Sequence, residues 1–128
     1  MEKIEFTYNW NNKLDCRSFS TVRLANSKKY VLLDDYQVYL KTKGNGPDIY
    51  KGLAKLQHIR RFNLFEVTPD ITFLDANLNI FEFQKLLTTM YKNKLVDFRT
   101  QPLYFMIFQY YKIHETEKQK ALEFAQNS

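Results

Sequence analysis

The chain is poor in residues that interrupt regular structure: its 128 residues include three Gly and three Pro. A loop-dominated fold is therefore not expected. A single cysteine, Cys16, allows no internal disulfide, and one Cys with two distant histidines, His58 and His114, does not make a zinc site. No motif calls for a metal or a cofactor. Apolar runs are too short to span a bilayer, and Met1-Glu2-Lys3-Ile4-Glu5 lacks the apolar stretch of a signal peptide. The expected setting is a reducing cytoplasm, with no membrane partner. Internal repeats and low-complexity segments are also missing.

What is present is enough apolar material for a core. Hydrophobic residues make up 45% of the chain and aromatics 16%, nearly all Tyr and Phe, which suit half-buried β surfaces. The length fits one domain, expected over residues 1–113, with 114–128 as a helical or frayed tail. Net charge is +5, and the tail holds three glutamates against two lysines, so the positive excess belongs to the domain. That excess serves either a phosphate-rich partner or plain solubility.

Alternation and turn chemistry outline the elements. Ile4–Tyr8 reads as a strand, Trp10–Arg17 as an Asn-rich turn with a short helix, and Thr21–Leu24 as a second strand. Tyr36–Thr42 alternates cleanly, the turn Lys43-Gly44-Asn45-Gly46-Pro47-Asp48 follows, and Ile49–Ile59 returns, so a hairpin is predicted. Leu64–Leu74, interrupted by Pro69, is assigned to a short helix, and Phe73–Leu78 to a loop. Asn79 and Glu82 have capping-box spacing before a stripe of Ile80, Phe83, Leu87 and Met90, widened by Leu86 and Tyr91. This stripe predicts a helix packed on a sheet. Leu103–Ile113 is apolar on both faces, as in a central barrel strand. Strands dominate without regular alternation with helices, so the expected class is α+β, mainly β: a small antiparallel β-barrel with peripheral helices.

Two groups of side chains invite chemistry. On and after the hairpin, Lys41, Lys43, Tyr50, Lys51, Lys55, Arg60, Arg61 and Phe62 interleave cations with rings. Such a surface stacks bases and meets phosphates, or it is a solvated strand edge that lysines protect from pairing. Around the second strand, Thr21 by itself reads as a β-former. Arg23 is either an anion clamp or a brace paired with Asp75, and Asp75 alternatively caps a turn. Cys16 reads as a small buried apolar residue.

The stretch Cys16-Arg17-Ser18-Phe19-Ser20-Thr21-Val22-Arg23-Leu24 gains weight from its order relative to Ile80-Phe81-Glu82-Phe83-Gln84-Lys85-Leu86-Leu87-Thr88-Thr89-Met90-Tyr91 and Leu103-Tyr104-Phe105-Met106-Ile107-Phe108. Together they resemble the ASCH family of the PUA-like superfamily over roughly residues 3–113. In that family a Gly-x-Lys-Thr-x-Thr-x-Arg-like stretch precedes a Leu-x-Glu-Phe-type helix and an apolar strand. The resemblance implies a PUA-like barrel and a pocket for RNA or a modified nucleoside near Thr21, Arg23 and Asp75. Some small bacterial members are amidohydrolases of N4-acetylcytidine that use a Lys, a Thr nucleophile and a Glu. Here Thr21 matches the Thr and Arg23 the terminal Arg. The Lys position reads Ser18, and the Glu position falls at Ala76 beside Asp75. Thr21 and Asp75 are thus the candidate catalytic residues, with Ser18 and Arg23 as pocket residues and Lys13 or Lys28 as replacement amines. The resemblance favours a binding module, with the amidohydrolase as one alternative and a protein-interaction domain using the C-terminal segment as another.

Overall fold

A computed structural model describes residues 1–42, 44 and 46–113. Five strands form one curled sheet: β1 (Glu2–Phe6), β2 (Ser18–Leu24), β3 (Asp35–Leu40), β4 (Ile49–Phe62) and β5 (Leu103–Ile113). The sheet order is β1-β3-β4-β5-β2. β3–β4, β4–β5 and β5–β2 are antiparallel, and β1 joins β3 in parallel. The expected hairpin is present, with a register slip between Val38 and Tyr39 opposite Gly52, whose φ is +140°. The curl brings the two outer strands toward each other, so that Phe6 of β1 meets Phe19 of β2 edge-on at 5.5 Å. The result is a half-closed barrel of the mainly β, α+β class, with helices at its periphery. No helix among the described residues is long and apolar enough to cross a membrane.

β5 explains why a strand apolar on both faces is stable here. Met106, Phe108 and Tyr110 enter the core inside the curl with Ile4, Phe19 and Tyr36. Leu103 and Phe105 point to the other face and pack with Phe83, Leu87 and Ile71 of the helices. Side chains alternate along a strand, so a strand shared by two cores carries apolar residues on both faces, as Leu103–Phe108 does.

The helices are α1 (Pro69–Ala76) and α2 (Ile80–Met90). Pro69 starts α1 rather than interrupting it, because the first helical position needs no N–H partner. Asp75 therefore lies in the last turn of a helix, not in the expected loop. Asn77 ends α1 in the left-handed conformation. The Asn79–Glu82 capping box forms in both directions and fixes the start of α2. Phe83 and Leu87 are buried as expected, whereas Met90 at the helix end is 57% exposed. Cys16 is exposed rather than buried, since it follows the 3-10 helix and precedes β2 on the surface.

Candidate functional site

The open seam between β1 and β2 is where the site lies. A cavity of about 360 Å³ is bounded by the end of β1, the 3-10 helix Trp10–Asp15, β2, α1 and α2. Its polar wall includes Glu5, Lys13, Thr21, Arg23, Asp75 and Lys94. Its apolar wall includes Tyr8, Trp10, Phe83, Leu87, Met90 and Tyr91. The volume falls in the range of about 300–1,000 Å³ usual for small-molecule pockets.

Lys13 reaches the cavity because the segment before β2 is pinned on both sides. Asn11 and Asn12 adopt positive φ, which Asn tolerates better than most residues, and reverse the chain inside the 3-10 helix. The Asn9 side chain accepts from the Leu14 N–H at 2.9 Å, and the Tyr110 hydroxyl donates to the Leu14 carbonyl at 3.0 Å. With Leu14 held in the inner core, its neighbour Lys13 turns to α1 and donates to Asp75 Oδ1 at 3.3 Å. The Ser20 hydroxyl donates to the same oxygen at 2.9 Å. Burial pushes the Lys13 amine below its ordinary lysine value, Asp75 partly restores it, and the nearby Arg23 charge opposes protonation again.

Arg23 spans the seam. Its Nη2 donates to the Glu5 carbonyl of β1 at 2.6 Å, its Nε donates to Thr21 Oγ1 at 3.2 Å, and the guanidinium lies 4.6 Å from the Phe6 ring centre. The guanidinium thus ties the two sheet edges together where no ladder closes the barrel. Its carboxylate partner is not Asp75, which is engaged by Lys13. Thr21 is 4% exposed, pairs with Met106 in the β2–β5 ladder, and receives the Arg23 hydrogen bond. Burial raises the Tyr30 and Tyr91 phenols, while the Arg23 charge pulls them back.

Thr21, Arg23 and Asp75 therefore line one cavity. Ser18 is exposed at the start of β2 and outside the cavity wall, and the amines on the wall are those of Lys13 and Lys94 from other elements. Lys13 appeared in the sequence only as a replacement amine. Its proximity to Asp75 is set by a backbone reversal, and the Asn-Asn pair at 11–12 is the local signal of that reversal. Trp10, Tyr91 and Lys94 were not singled out for the site. They reach it only through the packing of the 3-10 helix and α2.

Four of the hairpin cations have carboxylate partners. Lys41 pairs with Glu5 at 3.0 Å, Lys51 with Asp15 at 2.6 Å, Lys55 with Asp35 at 2.8 Å, and Arg60 with Asp70 at 2.8 Å. Arg61 is exposed, Tyr50 lies against Tyr39 at 5.3 Å, and Lys43 is outside the described residues. His58 is exposed and meets the Phe105 ring at 6.1 Å, while His114 and the tail 114–128 are outside the described residues. No cluster of metal-ligating side chains occurs among the described residues.

Neither a protein-family model nor a curated protein matches the sequence. Among solved structures, the chain is similar to the crystal structure of protein EF3133 from Enterococcus faecalis, a DUF984 protein. The TM-score is 0.56, with 6% identity over 91% of this chain and 85% of that one. At that identity the likeness shows the fold: a curled, barrel-like sheet with helices at its side.

Proposed function

We propose that this chain is an ASCH-type, PUA-like binding domain that holds a modified nucleoside, free or within RNA, in the seam cavity. The cavity's make-up supports this reading most directly. Flat rings of Tyr8, Trp10 and Tyr91 stand beside donors and acceptors of Lys13, Thr21, Arg23 and Asp75. A nucleobase needs both, a π-face to stack on and polar groups at its edge. Trp10, the single tryptophan of the chain, provides the assay. Titration with cytidine and N4-acetylcytidine is expected to change Trp10 fluorescence saturably, with matching heat by calorimetry. Thr21→Val and Asp75→Asn are expected to weaken binding by about tenfold each. Absence of saturable heat with any nucleoside at millimolar concentration would refute the reading.

A second reading, amidohydrolase chemistry, draws on the Lys13 amine. Burial lowers its pKa, as a general base requires, and Lys13 shares the cavity with Thr21. In that reaction the Thr21 hydroxyl adds to the amide carbonyl as the amine accepts its proton. The C–N bond then breaks, with the proton returned to the leaving nitrogen, and water hydrolyses the acyl-threonine ester. Release of acetate and cytidine from N4-acetylcytidine, lost in both Thr21→Ala and Lys13→Met, would establish it. Binding without turnover leaves the binding module.

A further inference from the structure

We infer that the ligand of the seam cavity carries an oxyanion, a phosphate group in the nucleoside reading on which this rests, and that Arg23 and Lys94 hold it. The argument is one of charge compensation. Four cations on or beside the hairpin each have a carboxylate within 3.0 Å. In the cavity, both wall carboxylates are already engaged, Glu5 with Lys41 and Asp75 with Lys13. Two wall cations, Arg23 and Lys94, have no carboxylate partner among the described residues.

Arg23 is the decisive one because it is half-buried. A guanidinium drawn out of water needs hydrogen-bond acceptors and, in most proteins, a counter-charge. Arg23 has neutral groups only: the Glu5 carbonyl, the Thr21 hydroxyl, the Tyr30 phenol and the Phe6 ring face. These hydrogen bonds do not use all five of its N–H donors. Lys94 lies 5.6 Å from the Tyr91 ring, on the α2 side of the same cavity. Lys29 sits 5.6 Å from the Tyr30 ring and adds positive potential from outside the wall, since its charge also acts on Glu5. An incoming oxyanion would meet a planar fork from β2 and a point charge from beyond α2, the pairing suited to phosphate oxygens.

Calorimetric titrations with cytidine, cytidine 5′-monophosphate, a short cytidine-containing oligonucleotide and inorganic phosphate test this. The monophosphate or the oligonucleotide is expected to bind about tenfold more tightly than cytidine, with the advantage shrinking at high salt. If the monophosphate gains, the oxyanion is a terminal phosphate; if the oligonucleotide alone gains, it is a phosphodiester. Lys94→Ala, at an exposed position, keeps the fold and is expected to reduce the phosphate preference, and Arg23→Gln to abolish it. Equal affinity for cytidine and both phosphorylated forms, unchanged in Lys94→Ala, overturns the inference and leaves the nucleoside reading standing. Phosphate binding that Lys94→Ala weakens, without any binding of cytidine, supports the oxyanion site and removes the nucleoside reading. Failure of all four probes removes both.

Discussion

The hairpin surface and the seam cavity are both basic in sequence, yet they differ in what their charges do. On the hairpin side, Lys41, Lys51 and Arg60 face carboxylates brought from other segments, and Lys55 faces Asp35 across the hairpin. In the cavity, Lys13 alone among the wall cations has an acidic partner supplied by the cavity wall, and Arg23 spends its donors on neutral oxygen atoms. A count of lysines and arginines therefore does not locate a binding surface. What matters is which positive charges the fold leaves uncompensated, and where they are withdrawn from water.

The comparison can be broken most forcefully at the cavity floor. Phe83 is fully buried and contributes to the cavity wall. Phe83→Ala is expected to cost about 3–5 kcal/mol in chemical denaturation, from lost burial and the void left behind. A loss near zero would show that α2 is not the floor of the site.

A smaller effect is expected at the ion pair. Asp75→Ala leaves the Lys13 ammonium without its acceptor at a position where the paired side chains are 15% and 11% exposed. The expected cost is about 2–3 kcal/mol, below the range for fully buried pairs because some solvent reaches both groups. A loss no larger than that of an exposed pair would place Lys13 in water and remove the difference between the regions.

The pH dependence sharpens the same point. The Lys13 amine is lowered by burial relative to 10.5, so the unfolded chain binds more protons than the folded one in the window just below 10.5. Stability contributed by this group therefore rises with pH through that window. The raised phenols of Tyr30, Tyr36 and Tyr110 act in the opposite sense near and above pH 10, because burial disfavours their anions. Denaturation followed through the window just below pH 10.5 is expected to show a steeper rise for the natural chain than for Lys13→Met. Equal slopes would contradict a desolvated amine.

The smallest effect belongs to the hairpin. Lys55 and Asp35 are 39% and 38% exposed, and water screens their attraction. Lys55→Ala is expected to leave the denaturation midpoint within experimental error and the affinity of the cavity unchanged. A large loss in nucleotide binding on this substitution would return the binding surface to the hairpin.

The sequence by itself determined the local elements. Alternation over Tyr36–Leu40, the pairing of β3 with β4 as a hairpin, the capping box at Asn79 and the strand Leu103–Ile113 each arise from neighbouring residues, and each is found. Thr21, Arg23 and Asp75 came forward through the resemblance to the ASCH family, and the three line one cavity. Where a signal was ambiguous, the tertiary structure decided. Pro69, read in the sequence as an interruption, is the first residue of α1, whose Ile71 and Ala76 are buried in the outer core. The partner of Asp75 was decided in the same way: Lys13 lies 62 residues away and meets it through a reversal at two asparagines. The closure of the curl likewise set Arg23 against the Glu5 carbonyl rather than a carboxylate. Short-range propensities fix strands and caps, whereas the pairing of charges across a curled sheet depends on distances that exist only once the chain has closed on itself.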